Sequence, residues 1–130
     1  MSASKLTELS LSEARDGLRR KDFTSVELTQ KHIAAMEAGR KLNAVILETP
    51  EKALDMAKTS DTKLSAGEGG ALEGLPIGVK DLFCTKGLRT TACSKILGDF
   101  TPPYESTVTQ NLWDAGCLLY TSPSPRDRNV

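Results

Sequence analysis

The sequence predicts an α/β chain, and three observations carry that prediction. Two capping boxes open helices near the start, a β-branched run and an alternating apolar run read as strands, and helix and strand signals alternate along the rest of the chain. With 130 residues, 38% of them hydrophobic, the chain has material for one modest core, so a single domain or part of one is expected.

The first box is Ser10-Leu11-Ser12-Glu13, in which a hydroxyl caps the helix start and a glutamate three residues on reciprocates. Leu11, Ala14 and Leu18 then fall on one face, and Gly17 with Arg19-Arg20-Lys21 predicts a short helix ending near Asp22. The motif repeats as Thr24-Ser25-Val26-Glu27. It opens a longer helix with an apolar stripe of Val26, Ile33 and Met36, Leu28 at the border, and Gly39 as its stop. His32 lies beside that stripe. Without Cys, Asp or a second His three or four residues away, it reads as a surface or packing residue and not as a ligand.

Ala44-Val45-Ile46-Leu47 is continuous and β-branched, the signature of a strand buried on both faces, although four residues alone do not separate strand from buried helix. Thr49-Pro50-Glu51 supplies an N-cap, a proline at the first helical position and an acid in the first turn. Ala53, Met56, Ala57, Ser60 and Leu64 continue that helix on a face of mostly small residues, suited to close packing. Gly67-Glu68-Gly69-Gly70 then reads as a flexible connector. It is no phosphate loop, because neither Lys80 nor Lys86 is preceded by glycine and neither is followed by a hydroxyl residue.

The organising stretch is Gly74-Leu75-Pro76-Ile77-Gly78-Val79-Lys80-Asp81. Alternation places Pro76, Gly78 and Lys80 on one face of a strand and Leu75, Ile77 and Val79 on the other. Gly78 leaves room beside Lys80, and a partly desolvated ammonium is one that can lose its proton and act as a base. A lysine that closes a strand is, by itself, most often a solvated end. After Asp81 come a turn at Thr85-Lys86-Gly87, a run of small residues from Thr90 to Ser94, and a break at Thr101-Pro102-Pro103. A last helix is expected from Ser106, with Val108, Leu112 and Ala115 on its apolar side and Gly116 ending it.

Composition excludes several function classes. Seventeen Lys and Arg balance seventeen Asp and Glu, interspersed along the chain, so no direct nucleic-acid or membrane-surface footprint is present. Three cysteines (Cys84, Cys93 and Cys117) form no C-x-x-C pair, and one histidine completes no zinc pattern, which points to reduced thiols in the cytoplasm. No apolar run is long enough for a signal peptide or a membrane span.

The 74–81 element, together with Cys84-Thr85-Lys86-Gly87, Thr90-Thr91-Ala92, Ser94-Lys95-Ile96-Leu97 and Pro103-Tyr104-Glu105-Ser106-Thr107-Val108, resembles the amidase signature enzymes. The Gly-x-Pro-x-x-x-Lys-Asp element is shared across that family. The stretch from Thr90 to Val108 is the more specific part, and it looks most like the glutamine-hydrolysing subunits of tRNA-dependent amidotransferases. The resemblance implies the N-terminal part of the amidase signature fold, a truncated mixed sheet flanked by helices. Residues 1–116 would be the N-terminal portion of an amidase domain. Residues 117–130, rich in Ser, Pro and Arg after Leu118-Leu119-Tyr120, read as a non-family tail, disordered or artefactual in origin.

The resemblance also implies chemistry. A serine nucleophile attacks an amide, a bridging serine relays its proton, and a neutral lysine accepts it. Only the lysine is present here, as Lys80. Ser94 and Ser106 lack the glycine-rich setting of an exposed nucleophile, and Asp81 reads as orienting backbone or Lys80 and not as a reacting group. Implied partners are the B and C subunits of the amidotransferase, with glutamine as substrate and tRNA reached only through the complex. This chain would hold no cofactor, ATP and Mg belonging to the partner in the complex. The rival expectations are a fragment of a general amidase acting on another amide, and a non-catalytic fragment without activity of its own.

Overall fold

The computed structural model describes residues 3–92 and 94–123. After a 3₁₀ turn at Ala3–Glu8, helices α1 (Leu11–Arg20) and α2 (Ser25–Ala38) follow, and a second 3₁₀ turn at Arg40–Leu42 leads to strand β1 (Val45–Glu48). Helix α3 (Pro50–Ser65), strand β2 (Pro76–Gly78), helix α4 (Thr107–Asp114) and strand β3 (Leu118–Pro123) complete the order. The sheet is mixed. β3 lies in its centre, antiparallel to β1 and parallel to β2.

Both capping boxes form. Ser10 Oγ accepts the Glu13 N–H at 3.2 Å while Glu13 accepts the Ser10 N–H at 2.8 Å, and Thr24 and Glu27 exchange the same pair at 3.1 Å each. The apolar faces differ from expectation. In α1, Ala14, Gly17 and Leu18 are buried but Leu11 is exposed. The Phe23 ring lies against Gly17, where any Cβ would collide with it, so the glycine admits the ring to the core. In α2 the buried residues are Ser25, Leu28 and Thr29, while Val26, Ile33 and Met36 are half-buried.

That rotation of α2 has a cause in α3. The Asp61 carboxylate accepts the N–H groups of Ser25 at 2.6 Å and Val26 at 3.1 Å, and Ser25 Oγ donates to the Gly74 carbonyl at 2.7 Å. A polar clamp thus turns the Ser25 side of the helix inward. α3 buries Ala53, Ala57 and Ser60, the small-residue face expected from the sequence. Its first residue, Pro50, is preceded by Thr49, whose hydroxyl does not cap the helix but donates to the Leu119 carbonyl at 3.1 Å. Two apolar clusters result. Leu6, Ala14, Leu18, Phe23, Leu28 and Leu75 form one, and Ala53, Ala57 and Leu118 form the other beneath the sheet.

The strands bring two further differences. β1 is half-buried along its whole length, because it pairs only with β3 and is an edge and not a strand covered on both faces. β3 extends through Thr121, Ser122 and Pro123, where the sequence predicts no regular structure. There it pairs with β1, Thr121 opposite Glu48, Ser122 opposite Leu47 and Pro123 opposite Val45, while Thr121 also pairs with Gly78 of β2, so backbone pairing outweighs weak propensity. Cys117, Leu118 and Leu119 are buried, and Pro123, which has no N–H to give a ladder, stands at the strand end opposite Val45. The part of the expected tail beyond Pro123 lies outside the described residues, as does Cys93.

Candidate active site

β2 ends at Gly78, so Lys80 leaves the ladder and sits on a turn. Its carbonyl accepts the Phe83 N–H at 3.1 Å. The expected alternation holds from Gly78 on, with Val79 buried between exposed Gly78 and Lys80, but not within the strand, where Pro76 and Ile77 are both half-buried. Lys80 is therefore on the predicted face and is exposed among the described residues, as is Gly78 beside it.

Asp81 is 1% exposed, directly beside that exposed lysine. One carboxylate oxygen accepts the Thr91 N–H at 3.0 Å, and the other accepts the Thr91 hydroxyl in a short hydrogen bond. The Asp81 carbonyl accepts the Ala92 N–H at 2.7 Å, and Ala92 has a left-handed backbone with φ 51°. Sequence reasoning reads Thr90 to Ser94 as a bland polar loop and so misses Thr91. A buried Asp paired with a Thr ten residues away leaves no local pattern to find.

A second set of cross-links folds the 84–106 segment on itself. The Gly87 N–H reaches the Pro102 carbonyl at 3.0 Å, the Thr90 N–H reaches that of Phe100 at 3.0 Å, and the Ser106 N–H reaches that of Cys84 at 2.9 Å. Glu105 accepts the Lys86 N–H at 2.7 Å and also the Trp113 indole N–H. Partial burial pushes the Glu105 carboxyl up, but the Thr109 hydroxyl, the Lys86 N–H and the Trp113 N–H together outweigh it and hold the group below its ordinary value. Separate motif pieces of the sequence are thereby brought together: Lys80-Asp81 meets Thr91-Ala92, and Cys84–Gly87 meets Pro102–Ser106.

The serines stand in structural roles. Ser106 Oγ caps α4 by accepting the Thr109 N–H at 3.2 Å, and Ser94 Oγ accepts the Ile96 N–H at 3.2 Å. His32 is half-buried on α2, and burial lowers its pKa. Cys117 is pushed up to about 11 by burial and by the nearby Glu73 carboxylate, so its thiol stays protonated at neutral pH. Among the described residues no three His, Cys, Asp or Glu side chains gather as a metal site, and no helix is long and apolar enough to cross a membrane.

Comparison with known proteins places this geometry. The sequence profile of the family described as Amidase matches residues 26–122. The chain belongs to the amidase family. Its curated amidase relatives include the A subunit of the glutamyl-tRNA(Gln) amidotransferase of Rhodopseudomonas palustris (strain BisB18), 65% identical over 114 residues, and that of Hyphomonas neptunium, 61% identical over the same length. Each alignment covers 88% of this chain and 23% of the relative, so the chain spans about a quarter of the length of the curated relatives it matches. The matched profile runs through Ser122, beyond the boundary expected at Gly116, and includes most of β3.

Solved amidase structures agree with the fold. The peptide amidase from Stenotrophomonas maltophilia superposes with a TM-score of 0.84 at 26% identity, covering 92% of this chain and 25% of that one. A fatty acid amide hydrolase superposes with a TM-score of 0.88 over 94% of this chain and 22% of its own; at 22% identity it speaks for the fold alone. The truncated α/β amidase fold expected from the sequence is the one observed.

Proposed function

We propose that this chain is the N-terminal portion of the glutamine-hydrolysing subunit of a tRNA-dependent amidotransferase, and that Lys80 is the terminal base of its proton relay. The observation that carries this reading is the identity of 61–65% over 88% of the chain to relatives named as the A subunit of glutamyl-tRNA(Gln) amidotransferase. The fold alone admits another amide, since a peptide amidase shares it, but at only 26% identity.

In this reading the complete subunit hydrolyses glutamine to glutamate and ammonia. A serine supplied by the remainder of a family-length domain attacks the side-chain amide, a bridging serine takes the nucleophile's proton, and neutral Lys80 accepts the proton from the bridging serine. Returned to the leaving nitrogen, that proton releases ammonia, and water then frees glutamate from the acyl-serine. Lys80 must be neutral for this, so the remaining domain has to cover the face on which it is exposed here. The B and C subunits would complete the complex, with ATP, Mg and tRNA at the partner. A net charge of zero agrees with tRNA being held elsewhere. The assembly would work in the cytoplasm.

The test places residues 1–116 into a complete relative and assembles the complex. Lys80→Ala is expected to lower glutaminase turnover by at least about a hundredfold. Lys80→Arg is expected to fail as badly, because a guanidinium does not give up its proton. Near-wild-type turnover with arginine ends the assignment. The 130-residue chain alone, lacking a nucleophile, is expected to release no ammonia from glutamine above a matched blank.

A further inference from the structure

Lys80 is the exposed residue between two buried ones. Val79 is 6% and Asp81 1% exposed, and the strand has already ended at Gly78. On the far side of the lysine, the backbone is held by the Thr91–Ala92 turn. Three hydrogen bonds run from that turn to Asp81: the Thr91 N–H at 3.0 Å and the Thr91 hydroxyl to the carboxylate, and the Ala92 N–H at 2.7 Å to the carbonyl. Thr91 is itself buried, and the neighbouring Thr90 N–H is tied to the Phe100 carbonyl, so the turn is braced from its other side. Ala92 keeps a left-handed backbone, which L-residues disfavour, and the bond from its N–H to Asp81 helps to hold that geometry.

We propose that Asp81 is a positioning residue for Lys80. It clamps the Thr91–Ala92 turn so that the lysine projects from a fixed point. Both of its oxygens accept from Thr91, and it acts through the backbone it shares with Lys80. This inference rests on the reading of Lys80 as the base. Displacement of a reacting group by about an ångström costs up to roughly a hundredfold in rate, so loss of the clamp should be visible in turnover. In the complete subunit a loosened lysine is also better solvated, which favours its charged form and moves the acid limb of the rate profile to higher pH.

The experiment uses the complete subunit carrying residues 1–116, in its assembled complex, with rates normalised to folded protein. Asp81→Ala should lower kcat about tenfold to a hundredfold, change KM less than about twofold and shift the acid limb upward. Thr91→Val, which loses the hydroxyl donor, should do the same to a lesser degree. Two conservative variants should lose less than their partners: Thr91→Ser keeps both donors, and Asp81→Asn still accepts the Thr91 N–H while its amide donates to the hydroxyl. A merely structural aspartate predicts lower thermal stability with turnover per folded molecule and acid limb both unchanged, and that result overturns the proposal. If Asp81→Ala does not fold, Thr91→Val against Thr91→Ser decides on the same readouts. A Lys80→Ala variant that keeps its rate overturns the lysine reading and this inference together. Loss of activity in Lys80→Ala with a normal Asp81→Ala overturns this inference alone.

Discussion

The clamp between α2 and α3 offers the sharpest stability test. Asp61→Ala removes the acceptor of two backbone N–H groups in the first turn of α2, at 2.6 and 3.1 Å, and the donor residue Ser25 is fully buried. Hydrogen bonds to a charged acceptor contribute roughly 1.5–3 kcal/mol, and a carboxylate at a helix N-terminus adds about 0.3–1 kcal/mol. The expected loss is therefore about 2–4 kcal/mol, a large part of the roughly 5–15 kcal/mol that holds a domain of this kind together. For a chain of this size that is on the order of 10 °C in Tm. Thr24→Ala is the internal control: it deletes only the exposed capping-box hydroxyl and should cost about 1 kcal/mol. Urea denaturation followed by circular dichroism measures both. The reasoning is refuted if Asp61→Ala shifts the midpoint no more than Thr24→Ala does.

Gly116→Ala should be destabilising by at least about 2 kcal/mol. Gly116 has φ 96°, where an L-residue is strained by roughly 1–2 kcal/mol, and the new Cβ would lie 2.7 Å from Glu73 atoms. The denaturant midpoint reads the effect, and an unchanged midpoint would contradict the close approach. Glu105 predicts a pH dependence. Its folded pKa is depressed, so its contribution is present above the unfolded value near 4.5 and is lost as pH falls through the lower folded value. Glu105→Gln should flatten the fall in stability below about pH 4.5 while costing some stability at pH 7; an identical acid limb in the variant would count against the network of Lys86, Thr109 and Trp113 around it.

The parts of the fold that are legible in the sequence are those decided within one turn of chain. Ser10 with Glu13, Thr24 with Glu27, and Pro50 at a helix start each specify a local geometry that tertiary context does not change. The faces those helices bury are less legible, because burial is decided by partners distant in sequence. Leu11 is left exposed while Phe23 packs over Gly17, and α2 turns its Ser25–Thr29 side inward where Asp61, thirty-six residues from Ser25, grips its first turn. β3 is the least legible element. Its Thr, Ser and Pro residues have little in common with a core strand, yet its first half pairs with β2 and its second half with β1, meeting at Thr121, and the buried run from Cys117 to Leu119 anchors it.

The site divides along the same line. Lys80 is legible because alternation and a nearby glycine point to an open face, and the structure places it there. Thr91 is not, because its importance lies in a bond to Asp81 that no spacing rule encodes. The exposed lysine leaves a backbone held on both sides, by Val79 in the core and by the three bonds to Asp81. The backbone on both sides of Lys80 is thus held by residues distant in sequence, and variants at Asp81 and Thr91 are the ones that loosen it.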